Sequence, residues 1–493
     1  MPFRGVRYAP ARVGELANVT SPPYDVIGPG TLEQLRAASP YNIVRLILPE
    51  PERGPAGPSG VQSGGPSGAR HGDARAAGQL AAARLRGWLD DGVLAVDPSP
   101  ALYVYEQAGP GQLQRGLIGL VRLGTDAIHP HEDVMPGPVA GRRELMAAVR
   151  GNLEPILLVY NGGAGAGGPG GTAGAGRPAF GPGTGDVPGA SVSTTSRLVD
   201  FTAEQRAPLA CTVTDDGVTH RLWALNDPAE HAAIAADLAE RTALIADGLH
   251  RYAAYGELRA SMGGAGQDEG PWDYGLAFLV DADEYPLRLG PIHRVIPHLN
   301  PTEAARLAAQ AFTVTELPGT GPGLGAAEAV NVPGDRQDAG RDSAAGGAPY
   351  VDRPRLADAL GALAEAGRAG TAFVLAGRDG YRLLSRPDPD ELADAMPSGA
   401  SSRWRALDAA VMQELLLARL WSIKDNDRDV LIAHDAEEAV RLAIETGGTA
   451  VLSNPMRLAA VADLAAHGER VPRKSTSFGP KPRTGLVLRT FDA

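Results

Sequence analysis

Residues 242–260 read Thr242-Ala243-Leu244-Ile245-Ala246-Asp247-Gly248-Leu249-His250-Arg251-Tyr252-Ala253-Ala254-Tyr255-Gly256-Glu257-Leu258-Arg259-Ala260. The run Ala243 to Ala246 has the composition of a buried strand. Asp247-Gly248 interrupts it, and from Leu249 onward apolar residues recur at helical spacing. A strand that passes at once into a helix predicts an α/β protein. Gly248 allows a tight turn and a close approach of backbone. His250 and Arg251 fall in the first helical turn, where backbone N–H groups lack partners and the helix dipole favours anions. The junction is thus shaped to hold a phosphate. On the local pattern alone, the simpler reading is a helix start capped by Asp247, with His250 and Arg251 on a solvated face.

Outward from this junction, strand and helix patterns alternate. Helix Glu230–Arg241 precedes it and strand Tyr274–Asp281 follows. Upstream, Asn42–Leu48, Leu102–Glu106, Gly116–Leu123, Pro155–Tyr160 and Leu198–Thr202 read as strands. Leu80–Leu89 reads as a helix, and Leu209–Leu225 as a hairpin turning at Asp215-Asp216-Gly217. The last third holds a strand near Ala311–Leu317, helix Pro354–Gly367, hairpin Thr371–Ser385 and an apolar helix Leu407–Trp421. Strand Asp429–His434, helix Ala436–Glu445, strand Thr449–Ser453 and helix Met456–His467 then run in βαβα order. This predicts a mixed α/β chain with a core over 1–300 and a smaller α/β lobe over 301–493. Three tracts, 51–75, 161–191 and 317–350, are dominated by Gly, Ala, Pro, Ser and scattered charge. They hold too little apolar surface to offset the entropy of ordering and read as flexible insertions.

Composition narrows the function. Lys and Arg number 46 against 58 Asp and Glu, a net charge of −12, which argues against a general nucleic-acid or acidic-membrane binder. One cysteine, Cys211, excludes an intrachain disulfide and fits a reducing cytosol. No apolar stretch approaches the roughly 18 residues of a membrane span, and the first residues carry no secretory signal pattern. The expectation is a soluble, cytoplasmic protein.

Three further segments carry chemistry. His129-Pro130-His131-Glu132-Asp133 lacks the i, i+4 histidine spacing of a zinc helix, and Pro130 opposes a helix there. It reads as a rigid loop, closed by Met135-Pro136-Gly137-Pro138, that presents Glu132 or His131 as acid/base or phosphate-side groups. Arg142 and Arg143 open the next helix within reach of the same anion. Near the start, Pro22-Pro23 stiffens the chain and fixes the direction of Tyr24 and Asp25. Near the end, 472–487 places Arg473, Lys474, Lys481 and Arg483 among Ser475, Thr476, Ser477 and Thr484 in a Pro/Gly-ordered loop. That loop reads equally as an anion clamp and as a cationic surface loop. Phosphate loops of the Gly-x-x-x-x-Gly-Lys-Ser type are absent.

Together the segments resemble the family described as domain of unknown function (DUF) 1015. The matching pieces are Pro22 to Ile27, Pro40 to Leu46, Tyr105-Glu106-Gln107, His131-Glu132 with Pro136-Gly137-Pro138, and Asn152 to Ile156. Ala246-Asp247-Gly248, His250-Arg251-Tyr252, and Lys474 through Lys481 to Val487 complete the set. The family's Asp-Gly-His-His-Arg signature is similar to that of the ParB/sulfiredoxin-like superfamily, which includes free-serine kinases. The resemblance implies a ParB/sulfiredoxin-like N-terminal region and a phosphotransferase acting on a small hydroxylated metabolite, free serine foremost. The donor would be ATP, ADP or pyrophosphate with Mg²⁺. In that reading Gly248, His250, Arg251, Arg142, Lys474, Ser475, Thr476 and Lys481 hold phosphates, and Asp247 assists the metal or substrate. Glu132 takes the hydroxyl proton, with His131, Tyr24 and Asp25 on the substrate side. The chain departs from the pattern at Leu249, where the family carries the first histidine, at Val134, often threonine, and at Gly141-Arg142, often Asp-Arg. A leucine cannot donate to a phosphate, so a ParB-like module that binds a nucleotide without turnover is the alternative.

Overall fold

A computed structural model describes residues 1–50, 71–163, 192–263, 269–318, 351–424, 426 and 429–492. The chain divides into two units. One comprises Met1–Arg288, Val461–Arg470 and Phe478–Ala493, the other Leu289–Ala460 and Val471–Ser477.

The first unit is built on a mixed sheet of eight strands. In chain order they are β1 (Leu102–Gly109), β2 (Gln112–Arg122), β3 (Ile128–His129), β4 (Ile156–Tyr160), β5 (Ala210–Val213), β6 (Thr219–Leu225), β7 (Ala243–Asp247) and β8 (Tyr274–Asp281). Their spatial order is β3-β7-β4-β8-β2-β1-β6-β5. β7 runs parallel to β3 and antiparallel to β4, and β4 runs parallel to β8. β4 and β7 are buried along their whole length, as their unbroken apolar runs require of central strands. The helices are α1 (His71–Asp90), α2 (Pro136–Val149), α3 (Thr194–Gln205), α4 (Pro228–Leu238) and α5 (Leu249–Met262). Val139 and Met146 of α2 and Ala254, Tyr255 and Leu258 of α5 pack with Ile156, Leu158, Ile245 and Ala277 of the sheet. Val199 of α3 and Ile234 of α4 join Leu102, Val104, Leu117 and Trp223 in a second cluster.

The end of the chain returns to this unit. Val6 and Leu488 exchange main-chain hydrogen bonds of 2.9 Å, as do Ser21 and Thr484 at 3.1 and 2.9 Å. The division therefore differs from one boundary near residue 300. An extended tail that pairs with the opposite end of the chain leaves no local pattern by which to place it.

The second unit carries a six-stranded sheet of β9 (His293–Ile296), β10 (Thr313–Glu316), β11 (Ala372–Gly377), β12 (Gly380–Ser385), β13 (Leu431–Ala433) and β14 (Thr449–Ser453). Its order is β10-β12-β11-β14-β9-β13, and every pairing is antiparallel. α6 (Arg353–Ala369) and α7 (Ala436–Thr446) bury Leu356, Leu363, Val440 and Ile444 against Val374 and Leu452. The βαβα segment order is present, with β9 between β13 and β14 and antiparallel to both.

Two strand expectations are corrected. Within 42–48 the chain turns into a short helix, Val44–Ile47, because the Asn42 side chain accepts from Val44 N at 3.1 Å and donates to Asn18 O at 2.8 Å. Residues 198–202 belong to α3, whose cap Ser193 accepts from Ser196 N. Buried Thr195, Val199 and Thr202 recur there at helical spacing. Of the tracts expected to be flexible, 51–70, 164–191 and 319–350 lie outside the described residues, and 71–75 open α1. Among the described residues, no helix is long and apolar enough to cross a membrane.

Candidate functional site

The strand-to-helix junction is where the first unit concentrates its buried charge. A register shift interrupts the pairing of β7 with β4 between Ile245 and Asp247, and such irregularities re-aim side chains beside sites. Gly248 follows with φ 90° in the left-handed region. A Cβ there would lie 2.8 Å from Ile156 Cγ2 and 3.1 Å from the Nε and Nη2 of Arg251. Conformation and space both demand glycine.

The Asp247 carboxylate does not cap α5, contrary to the simpler sequence reading; the cap position is Gly248, without a side-chain bond. Asp247 Oδ2 instead accepts from Arg251 Nη2 at 2.5 Å, and Oδ1 lies 2.7 Å from Lys481 Nζ. The same ammonium is 2.6 Å from Asp25 Oδ2. One lysine from the returning tail thus bridges carboxylates from two distant segments. Arg251 is 2% exposed and donates through Nη1 to Pro155 O at 2.7 Å. Its Nε meets no acceptor among the described residues.

Glu154, immediately before β4, completes the cluster. Its Oε1 accepts from Tyr24 N at 3.2 Å and Thr484 Oγ1 at 3.4 Å, and Oε2 lies 3.7 Å from Arg142 Nη1. Arg142 lies 4.1 Å over the Tyr24 ring and donates to Ile47 O at 2.8 Å. Three carboxylates, Asp25, Glu154 and Asp247, therefore meet three cations, Arg142, Arg251 and Lys481, around Tyr24. Burial opposes the Arg251 charge, but Glu154, Asp247 and Asp25 outweigh it and raise its pKa. Burial likewise opposes the Lys481 charge, and Asp247 and Asp25 hold its pKa above the ordinary value. Burial raises Glu154 despite Arg251 and Arg142, and pushes Tyr24 up to about 12.

The loop after β3 runs beside the same junction. Ile128 and His129 pair with Ala243 and Leu244. His131 Nδ1–H donates to Ile245 O at 2.7 Å, and Met135 N donates to His250 Nε2 at 3.1 Å. Buried Glu132 lies on this stretch, between the contacts at Ile245 and His250. His131 sits edge-on to Phe478, 5.2 Å between ring centres, and burial pushes its pKa down to about 4, so it is neutral at pH 7. His250 accepts through Nε2 and helps hold the first turn of α2. Leu249 packs against the cluster of α2, α5 and the sheet.

Lys474, Ser475 and Thr476 belong to the second unit. There Arg294 donates to the carbonyls of Lys474 and Arg473 at 2.9 and 2.8 Å, and Ser475 Oγ donates to Pro472 O at 2.5 Å. Tyr24, Asp25, Arg142, Asp247, Gly248, Arg251 and Lys481 converge in the first unit. Glu154 was not among the site residues expected from sequence. Its signal is an acid placed directly ahead of the apolar run Pro155–Tyr160.

The family model described as "Protein of unknown function (DUF1015)" matches residues 1–166 and 188–410. The chain belongs to the DUF1015 family. Asp25, Glu132, Arg142, Glu154, Asp247 and Arg251 of this DUF1015 protein lie within the matched residues, and Lys481 lies beyond them. No curated protein matches the chain. Solved structures similar to it include a free serine kinase variant in complex with AMP, at 13% identity and a TM-score of 0.32, covering 73% of this chain and 87% of that one. A conserved hypothetical protein from Pyrococcus furiosus is similar at 12% identity and a TM-score of 0.33, covering 76% and 96%. SbnI with a C-terminal truncation from Staphylococcus aureus is similar at 10% identity and a TM-score of 0.30, covering 73% and 82%.

Proposed function

We propose that the junction after β7 binds the phosphates of ATP, ADP or pyrophosphate and passes a phosphoryl group to a small hydroxylated metabolite, free serine foremost. The observation that carries this reading is Lys481 Nζ held between Asp25 and Asp247 beside the start of α5. A half-buried ammonium next to a helix N-terminus is suited to meet a phosphate, and the two carboxylates keep it charged and in place until one arrives. Arg251 fixes Asp247, and Arg142 and Glu154 fix Tyr24 and the backbone that carries Asp25. Asp25 and Asp247 are oxygen donors of the kind Mg²⁺ takes when most of its ligands come from water and phosphate. When bound, Mg²⁺ would neutralise charge on the transferring group.

Glu132 is the base in this reading. It accepts the acceptor's hydroxyl proton as that oxygen bonds to phosphorus; the donor's terminal P–O bond breaks, and the shortened nucleotide or orthophosphate leaves with the electron pair. Positioning and charge neutralisation supply most of what phosphoryl transfer needs. The motif resemblance to free-serine kinases supports serine as acceptor.

One observation favours the second reading, a ParB-like module that binds a nucleotide without turnover. Leu249 is partly buried and packs against the core cluster, and His250 Nε2 is engaged by Met135 N, so the signature's histidine positions serve structure. Incubation with Mg²⁺, L-serine and each donor in turn, followed by ³¹P NMR, separates the two. Phosphoserine that a Glu132→Ala variant fails to make supports the transferase. Calorimetric binding of a nucleotide with no phosphoserine from any donor supports the module.

A further inference from the structure

The first unit holds a concavity lined by none of the residues assigned above. It has a volume of about 470 Å³ and lies under α4 against the sheet, with Leu117, Leu158, Ile234, Leu238 and Leu279 among its walls. That volume is within the range of small-molecule sites. Water in such a space finds few polar partners, so an apolar body is the better occupant. The walls are also one-sided in charge. Arg122 and Arg241 line the cavity together with His231, and among the described residues no Asp or Glu does.

These three side chains differ in what they can offer. Arg241 is committed to Asp237 and to Asn161 O, and His231 Nε2 donates to Leu225 O at 2.7 Å. Among the described residues Arg122 has one long ion pair, 3.4 Å to Glu269, with 60% and 46% of the two side chains exposed. Exposed pairs of this kind contribute little, about 0–1 kcal/mol. A ligand carboxylate can replace Glu269 at small cost.

We infer that this cavity binds an amphipathic monocarboxylate, its hydrocarbon body against the leucines of the sheet and α4 and its carboxylate on Arg122. The site is independent of the phosphate reading and stands whichever form of that reading holds. Ala232 and Ala235 line the mouth from α4 and are exposed, so larger side chains there block entry without disturbing a packed core.

Calorimetric titration of the full chain with decanoate, decanol and decylammonium tests the inference. The expected result is one saturable decanoate site, with decylammonium at least tenfold weaker. Ala235→Trp and Ala232→Trp, each with an unchanged thermal midpoint, abolish decanoate uptake. Arg122→Gln removes the preference for decanoate over decanol. Absence of saturable decanoate binding overturns the inference. So does binding that neither tryptophan variant alters, or equal affinity for decanoate and decylammonium.

Discussion

Lys481 is the residue on which the candidate site turns. Its ammonium is 2.7 Å from Asp247 and 2.6 Å from Asp25, with 15% of the side chain exposed. Removing it leaves the buried Asp247 carboxylate without its ammonium, beside Asp25, whose side chain is 31% exposed. Breaking a fully buried pair costs about 3–5 kcal/mol; with Asp25 open to solvent, Lys481→Met is expected to lower unfolding free energy in urea by about 1–2 kcal/mol. Adding Asp247→Asn should recover part of that loss, a non-additivity that identifies direct coupling. His131 gives a separate prediction. Its pKa in the fold, about 4, lies below the ordinary 6.5, so the unfolded chain takes up the proton first as pH falls. The stability His131 contributes is complete above pH 6.5 and is lost as pH falls through 4. Glu154, raised by burial, acts in the opposite sense, so the test compares variants rather than one curve. His131→Asn keeps a donor for Ile245 O and should fall less steeply in stability than the parent protein between pH 6.5 and 4.

At the scale of the element, the strand–Gly–helix junction does two tasks with one residue. Gly248 takes φ 90° and lets Arg251 fold back over its own backbone toward Asp247. Gly248→Ala adds a strained backbone and a clash with Ile156. It should cost about 2 kcal/mol of stability in thermal or urea unfolding and loosen the Arg251–Asp247 pair. The junction was legible in sequence because each half has its own period: a short buried run, then residues at 3.6 spacing. Strand Tyr274–Asp281 and the hairpin turn at Asp215-Asp216-Gly217 were legible for the same kind of local reason. Asn42–Leu48 was not. Its apolar residues suit a strand equally well, and only the Asn42 side chain, bonded across to Asn18, makes it a helical turn. The acid at 247 was legible as chemistry and misplaced as a cap, because its partner Lys481 lies 234 positions further along the chain.

Across the whole molecule, the candidate site draws on four stretches far apart in sequence: Tyr24–Asp25, Arg142 with Glu154, the β7–α5 junction, and the tail at 481–484. Main-chain pairing of Ser21 with Thr484 and of Val6 with Leu488 brings the first and last of these together. Glu154 accepts from both Tyr24 N and Thr484 Oγ1, so it reports on the same closure from the middle of the chain. Sequence motifs mark each stretch but carry no measure of distance between them. For that reason Lys481 and Lys474, seven residues apart in one basic loop, read alike although the chain assigns them to different units. The most direct test is calorimetric titration of ATP, ADP and pyrophosphate, each with Mg²⁺, into the parent protein and Lys481→Met at a temperature where both are folded. The account predicts saturable binding of at least one donor to the parent protein and at least tenfold weaker binding to the variant. Equal affinity in the two proteins, or no binding of any donor to the parent, would contradict it.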